Sequence, residues 1–118
     1  MKKEEQKLQI DCVEWFDLQY PKLKQLLFAV PNGSRMTIGQ AVLMKRMGLR
    51  KGVYDLFLSV PMRGFHGLYL EAKSSSGRVS DEQIKFATSV EKRGYAAREF
   101  RTFEQFVFTI KWYLNHVT

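Results

Sequence analysis

The sequence has very few of the residues that build disulfide bridges and zinc sites. It contains one cysteine, Cys12, and two histidines, His66 and His116, in 118 residues. A single cysteine cannot form a disulfide within the chain, and no Cys/His cluster has the close spacing of zinc ligands. These shortages exclude a small disulfide-rich scaffold and a zinc-finger type of domain.

Long apolar runs are missing as well. No segment approaches the roughly 18 consecutive apolar residues of a membrane-spanning helix. Residues 1–7 are mostly charged and lack the apolar centre of a signal peptide. We therefore expect a soluble intracellular protein, located in the cytoplasm and without a membrane partner.

What the sequence does contain is basic charge on a chain able to form a core. Lys and Arg number 19 against 12 Asp and Glu, a net charge of +7, while 45% of the residues are hydrophobic and 14% aromatic. The length suits one domain, which we expect to span residues 1–118, since domains cluster at about 100–150 residues. The charge favours a polyanionic partner, most often nucleic acid and less often an anionic membrane.

Periodicity and turn residues predict eight elements in the order α-β-α-β-β-α-β-α. The predicted helices cover residues 3–20, 37–47, 80–93 and a final stretch beginning at 102, and the predicted strands cover 25–30, 52–58, 68–73 and 95–100. We expect a single α/β domain with a central mixed sheet flanked by helices, and the strands at 52–58 and 68–73 should form an antiparallel hairpin because their connection is short.

Two of the predicted helices carry further expectations about their apolar residues. In the helix at 37–47 we expect an inner side formed by four residues: Ile38, Ala41, Val42 and Met44. The last helix carries more apolar surface than one inner face requires, which favours a subunit interface. The aromatic residues of this helix are Phe106, Phe108, Trp112 and Tyr113, besides Phe103 at its start.

Three charged residues occupy the predicted hairpin, where a core sheet should be apolar. Asp55 lies in the first strand, and Glu71 and Lys73 lie in the second. Because strand side chains alternate between faces, Glu71 and Lys73 point the same way and Ala72 points to the opposite face. Asp55 can then lie across the hairpin from Glu71.

Converging carboxylates of this kind favour a cation between them. Two carboxylates at close range repel and shift each other's pKa unless a positive charge intervenes. Mg²⁺ suits such a site, because it takes one or two protein carboxylates and keeps several waters. Lys73 would either orient an attacking water or stabilise the charge that develops on a scissile phosphate.

These residues belong to a longer ordered pattern. In chain order its parts are Glu5 and Gln9 on the first helix, Pro31-Asn32-Gly33, Gly52-Val53-Tyr54-Asp55, Leu70-Glu71-Ala72-Lys73, Ser80-x-x-Gln83 and Gly94-Tyr95. The set resembles the PD-(D/E)XK nuclease superfamily, with its restriction-endonuclease-like fold, and more narrowly the VRR-NUC domain family. The similarity extends over nearly the whole chain. It departs from the family at Tyr54, a position that often holds proline.

The resemblance implies a role for each matching residue. Asp55 and Glu71 would bind Mg²⁺ or Mn²⁺ together with the backbone carbonyl of Ala72, Lys73 would be the catalytic lysine, and Gln83 would assist from the following helix. The family site also includes a glutamate on the first helix. Glu5 matches best, because residues 5, 8, 12 and 16 share one helical face.

The resemblance also implies an activity. It indicates a metal-dependent endonuclease that hydrolyses phosphodiester bonds in DNA. Small stand-alone phage and bacterial relatives resemble Holliday-junction resolvases, which suggests branched or structured DNA as substrate and a homodimer, in the host cytoplasm if the chain is phage-encoded. The alternative is a catalytically inactive nucleic-acid-binding module that keeps the nuclease fold.

Several of these residues also have a purely structural interpretation. Asp55 alone fits a strand end, Glu71 and Lys73 fit a solvated pair, Gln83 fits a capping box with Ser80, and Glu5 fits a favourable helix start. Basic residues around the second helix form either a phosphate-contacting patch or a solvated helix end, and Asn32 either contacts DNA or supplies turn geometry. The nucleic-acid-binding candidates are Asn32, Arg35, Lys45, Arg46, Arg50, Lys51 and Arg78.

Overall fold

Helices and strands alternate in the order that the sequence predicts. The computed structural model describes residues 2–31 and 36–114. The helices in this part of the chain are α1 (Lys2–Gln19), α2 (Ile38–Arg46), α3 (Asp81–Glu91) and α4 (Phe103–Tyr113). The strands are β1 (Leu27–Ala29), β2 (Leu56–Leu58), β3 (Leu68–Ala72) and β4 (Ala96–Phe100). The α-β-α-β-β-α-β-α order is therefore confirmed.

The four strands form one mixed sheet in the order β1-β2-β3-β4. β1 pairs with β2 and β2 with β3 in antiparallel fashion, which confirms the predicted hairpin, whereas β3 and β4 are parallel. A parallel pair needs a crossover connection, and α3 supplies it. Leu56 pairs with Leu70 at the end of the hairpin ladder. One step further along this register, Asp55 comes opposite Glu71.

The hydrophobic core lies on one face of this sheet, beneath α1 and α4. Alternating residues of β3, Leu68 and Leu70, are fully buried and belong to the same apolar cluster as Phe16 of α1 and Phe106 of α4. The period-2 pattern of the strands and the helical spacing of α1 and α4 both direct apolar side chains into this layer.

The opposite face of the sheet carries aromatic residues and the charged residues of interest. The Tyr69 ring lies 4.4 Å from that of Phe57 on β2 and 4.9 Å from that of Phe86 on α3, centroid to centroid. α3 thus covers part of this face. Glu71 is two residues beyond Tyr69 on the same face, next to the N-terminal end of α3.

The expected inner side of α2 is wrong for Ile38 and Val42, whereas Ala41 and Met44 are partly buried. Ile38 is 87% exposed and Val42 is 53% exposed, and no residue of α2 is buried. The helix is instead stabilised locally by a capping box, in which Thr37 Oγ1 accepts from the Gln40 amide and the Gln40 side chain accepts from the Thr37 amide. Apolar periodicity predicts a helix correctly here but does not say what covers its apolar side.

Two predicted strands are shorter than expected. Residues 21–26 form a 3-10 helix, so only Leu27–Ala29 is extended, and Phe28 is 46% exposed because β1 lies at the sheet edge. The strand predicted at 52–58 begins only at Leu56.

Most of the large apolar side chains of α4 are buried or packed within the domain. Phe106 and Tyr113 are fully buried, and the Tyr113 hydroxyl donates to the Val60 carbonyl. The Trp112 ring is contacted by two guanidinium groups, with the Cζ atoms of Arg63 and Arg98 at 5.1 and 5.0 Å from the ring centroid. Phe108 stays 73% exposed. The expected interface on α4 is therefore reduced to a single exposed aromatic ring.

No helix in residues 2–31 or 36–114 combines the length and apolar character needed to cross a bilayer.

Two phenylalanines of α4 test this assignment of the core. Phe106→Ala should lower the free energy of unfolding by about 3–5 kcal/mol, because the ring is fully buried. Phe108→Ala should change it by no more than about 0.5 kcal/mol, because that ring faces solvent. Urea unfolding monitored by circular dichroism measures both values, and equal losses for the two variants would contradict the fold.

Candidate functional site

Two carboxylates join the ends of β2 and β3 by reciprocal hydrogen bonds. The Asp55 amide donates to Glu71 Oε1 at 3.0 Å, and the Ala72 amide donates to Asp55 Oδ2 at 3.1 Å. The regular ladder between these strands ends at Leu56 and Leu70. The two side chains therefore continue strand pairing where the backbone ladder stops, and the predicted approach of Asp55 and Glu71 is confirmed.

Gln83 and Lys73 both contact the second oxygen of Glu71. Gln83 Nε2 donates to Glu71 Oε2 at 2.7 Å, and Lys73 Nζ lies 3.6 Å from the same oxygen. Gln83 also completes the predicted capping box of α3, since its Oε1 accepts from the Ser80 amide at 2.9 Å. The predicted capping box is thus confirmed, and the other end of the same amide contacts Glu71. The catalytic role of Gln83 stays a prediction.

Glu5 reaches the same region from the first turn of α1. Its Oε2 accepts from the backbone amide of Ser74 at 3.2 Å, directly after Lys73. Glu4 accepts from the next amide, that of Ser75, at 3.2 Å. Glu5 is partly buried and lines the cleft described below, whereas Glu4 is exposed.

These side chains meet in an open cleft at one end of the sheet. α1, the loop before β2, the end of β3 and the start of α3 all contribute to it. The lining residues are Glu5, Arg50, Lys51, Gly52, Val53, Asp55, Glu71, Lys73, Ser80, Glu82 and Gln83. An acidic centre formed by Asp55 and Glu71 thus shares the cleft with three basic side chains.

Gly52 lets the loop before Asp55 pass close to α3. Its φ of +86° lies in the left-handed region, and a Cβ at this position would come 2.5 Å from the backbone oxygen of Glu82. Only glycine fits such a close backbone approach without a shift. The sequence pattern predicts a strand start at Gly52, whereas this glycine lets the loop and the first turn of α3 come together beside the cleft.

Burial and mutual repulsion disfavour the simultaneous ionisation of the two carboxylates, Asp55 and Glu71. Glu71 is only 3% exposed. Burial, reinforced by the charge of Asp55, raises the pKa of Glu71 to about 7, against the opposing effect of Lys73. Burial also raises the pKa of Asp55, although the hydrogen bond from the Ala72 amide opposes that shift. A cation between the two groups would relieve both penalties.

The donor set fits a hard divalent cation. Mg²⁺ prefers oxygen ligands and is commonly held by one or two carboxylates with water completing the shell. Asp55 and Glu71 provide those carboxylates, and Ala72, whose carbonyl is the further predicted ligand, follows Glu71 directly on β3. Within the described ranges no group of three or more His, Cys, Asp or Glu side chains is arranged to hold a metal. Glu5 instead contacts the Ser74 amide, and its role as a ligand stays a prediction.

The predicted basic residues divide into two groups. Arg50 and Lys51 line the cleft, and Arg50 Nη1 also donates to the carbonyls of Lys45 and Leu49 at 3.1 and 3.2 Å. Three others are exposed but lie outside the cleft lining: Lys45 and Arg46 in the last turn of α2, and Arg78 after β3. Asn32 and Arg35 lie outside the described residues.

Two residues outside the predicted site, Ser74 and Arg101, fix the loop after Lys73. Ser74 is fully buried although it is polar. Its carbonyl accepts from Arg101 Nη1 at 2.8 Å, and Arg101 Nη1 also donates to the Gly77 carbonyl at 2.5 Å. No local sequence signal marks Arg101, because it follows β4 and meets this loop only through the parallel pairing of β3 and β4.

A comparison with solved structures gives a close match in fold. A structure described as "VRR_NUC domain protein" superposes with a TM-score of 0.82 and 23% sequence identity, covering 94% of this chain and 88% of that chain. The fold is that of a VRR_NUC domain protein. No protein-family model matches the sequence, and no curated protein matches it significantly. The fold predicted from the resemblance is thus confirmed by structure over nearly the whole length of the chain.

The buried pair of this VRR_NUC-type fold should make the metal-free protein less stable at higher pH. An acid whose pKa is higher in the folded state binds more protons there, so stability falls as pH rises, here from about 4.5 towards 7. Glu71→Gln should remove most of this slope. Urea unfolding in EDTA from pH 5 to 8 measures it.

The matched control for that experiment is Glu104→Gln, on an exposed glutamate of α4. This variant should keep the wild-type pH dependence, because its side chain faces solvent. An unchanged slope in Glu71→Gln would contradict the assignment of a buried, mutually repelling carboxylate pair.

Proposed function

We propose that the chain is a VRR-NUC family nuclease, a single domain spanning residues 1–118 that hydrolyses phosphodiester bonds of DNA with Mg²⁺ or Mn²⁺. The observation that carries the proposal is the convergence of Asp55, Glu71, Lys73 and Gln83 on one cleft within a VRR_NUC-type fold. A bare Asp…Glu-x-Lys pattern occurs by chance in many proteins. The arrangement in space, in which Asp55, Lys73 and Gln83 all contact Glu71, is far more specific than the pattern alone.

Each side chain in the cleft has a definite task under this proposal. Asp55 and Glu71, with the carbonyl of Ala72 and with Glu5, would hold the divalent ion. When bound, the ion polarises a phosphoryl oxygen and lowers the pKa of a coordinated water. Gln83 fixes the orientation of the Glu71 carboxylate through its 2.7 Å hydrogen bond.

Lys73 is the cationic group of the site. Its side chain is 12% exposed, and its ammonium lies beside Glu71. A preorganised ammonium in a partly dry cleft can stabilise negative charge that develops on the scissile phosphate or can orient the attacking water. Its position in the same cleft as both carboxylates supports this role.

The basic residues supply the proposed DNA contacts. Arg50 and Lys51, at the cleft, would contact the phosphates nearest the scissile bond. Lys45, Arg46 and Arg78 would contact the backbone further away, with Asn32 and Arg35 as additional candidates. The net charge of +7 supports a sequence-independent electrostatic contribution to DNA binding. We propose the cytoplasm as the place of this activity.

We further propose a homodimer that acts on branched or structured DNA. The exposed apolar residues of α2 and of its C-cap support self-association, because four large apolar side chains are exposed within this short segment. These are Ile38, Val42, Leu43 and Met47. Exposed apolar patches of this kind are typical of interaction surfaces. A two-fold dimer would offer two clefts, as cleavage of two strands of a junction requires.

Substitution of the cleft residues tests the proposed activity. Glu71→Ala and Lys73→Ala should each lower the cleavage rate in Mn²⁺ by about 10²–10³-fold or more, because each removes a group that acts on the reacting phosphate. Lys111→Ala, which removes an exposed lysine of α4, should leave the rate within about twofold. Cleavage of plasmid, flap and four-way-junction DNA is measured, with DNA affinity determined in Ca²⁺.

Two results would contradict this proposal. One is a wild-type protein that leaves all three DNA substrates intact in Mg²⁺ and in Mn²⁺. The other is calorimetric binding of Mn²⁺ that is the same in wild type and in Asp55→Ala. Retained DNA binding without metal binding would favour a non-catalytic binding module instead.

Charge introduced on α2 tests the proposed dimer. Ile38→Lys combined with Val42→Lys should convert the dimer to a monomer, because both side chains lie one turn apart on the exposed side. No residue of α2 is buried, so the fold should survive. Leu18→Lys, at an 80% exposed position of α1, is the control and should stay dimeric. Sedimentation analysis that finds a monomeric wild type would contradict the dimer.

A further inference from the structure

The peptide groups around Ser74 are hydrogen-bonded on both sides of the chain. Its amide donates to Glu5 Oε2 at 3.2 Å, and its carbonyl accepts from Arg101 Nη1 at 2.8 Å. The residue itself has no exposed surface. This buried point directly follows Lys73, whose side chain reaches into the cleft. The direction of the Lys73 side chain therefore depends on the hydrogen bonds that fix the backbone of Ser74.

Arg101 makes most of the contacts that hold the loop from the β4 side. Its Nη1 donates to the carbonyls of Ser74 and Gly77, and its Nη2 pairs with Glu99 Oε2 at 2.9 Å. A guanidinium presents several N–H donors in a rigid plane, which suits two carbonyls and a carboxylate at once. A lysine ammonium at the same position lacks this planar fork.

The backbone of Lys73 is anchored to the same end of β4. Its amide donates to the Phe100 carbonyl at 3.0 Å, and Arg101 is the next residue along the chain. Phe100 and Arg101 thus fix consecutive residues of the segment after β3. Lys73 Nζ lies 3.6 Å from Glu71 Oε2 in this arrangement. A flexible four-carbon side chain keeps such a position more reliably when its backbone is fixed.

We propose that Arg101 is a positioning residue for Lys73, which it serves by fixing the Ser74–Gly77 loop. This inference rests on the nuclease activity proposed above. Arg101 acts through the loop and not on the DNA itself. Three acceptors already engage its two terminal nitrogens, and the Glu99 carboxylate neutralises much of its charge. A phosphate-binding arginine would instead direct its donors towards the substrate.

Arg101→Lys tests the proposal because it keeps the positive charge. We expect kcat to fall about 10-fold or more, since small misplacements of a catalytic group are costly. KM and the DNA dissociation constant in Ca²⁺ should stay within about twofold of wild type, because charge towards the substrate is unchanged. The control is Arg93→Lys, an exposed arginine that donates to the Ser89 carbonyl at 2.9 Å. It should keep wild-type kcat.

Hydrogen exchange gives a readout that does not depend on cleavage. The amides of residues 73–77 should exchange faster in Arg101→Lys than in wild type or in Arg93→Lys, and exchange in α1 and α4 should be unchanged. Unaltered exchange at residues 73–77 would overturn the proposal, as would a normal kcat. A weakened DNA affinity with normal kcat would also overturn it and would indicate a phosphate contact.

A second variant covers the case in which Arg101→Lys does not fold. A Cβ at Gly77 would come 2.9 Å from Ser74 Oγ and 3.3 Å from Glu5 Oε2. Gly77→Ala should therefore displace the same loop and reproduce the loss of kcat at nearly constant KM. A normal kcat in this variant overturns the proposal. If wild type cleaves no DNA, the nuclease proposal itself fails, whereas cleavage at normal rate by both variants rejects only the role of Arg101.

Discussion

The reciprocal hydrogen bonds between Asp55 and β3 are the interaction on which the site depends. They join the ends of β2 and β3 beyond the last paired residues, Leu56 and Leu70, with side-chain oxygens in place of backbone carbonyls. The same two carboxylates form the acidic centre of the cleft. The side chains that extend the strand pairing are therefore also the proposed ligands of the ion. Displacement of either carboxylate would weaken both the pairing and the ion site.

This arrangement restrains the acidic residues from several sides. Gln83 reaches Glu71 from the first turn of α3, and Lys73 reaches it from the end of β3. Gly52 permits the loop before Asp55 to approach α3 closely. Side chains that several elements hold in this way are preorganised, which is what a catalytic site requires of groups that must not reorient during the reaction.

Much of the fold and of the candidate site could be predicted from the sequence. The features that could not be predicted have one physical cause in common. Alternation along residues 68–73 predicts that Glu71 and Lys73 share a face, and the Ser80–Gln83 spacing predicts the capping box; both depend on neighbours in the chain. The expected burial of Ile38 and the contacts of Arg101 depend on what lies opposite in space. Helical periodicity identifies an apolar side of α2. It does not tell that no other element of the described residues packs against that side. Arg101 meets Ser74 across 27 positions, which no local pattern encodes.

The energetic balance of the cleft argues for a cation more strongly than the residue pattern does. A shift in the Glu71 pKa from 4.5 to about 7 corresponds to about 3 kcal/mol disfavouring its ionised form. The first turn of α3, at Ser80 and Gln83, directs a helix N-terminus towards this region, but such a dipole contributes only about 0.3–1 kcal/mol. Lys73 also opposes the shift, yet Glu71 keeps a raised pKa. The ionised pair is therefore not fully compensated by the groups around it, and a divalent ion of the kind proposed above would match it in charge and in preference for oxygen ligands.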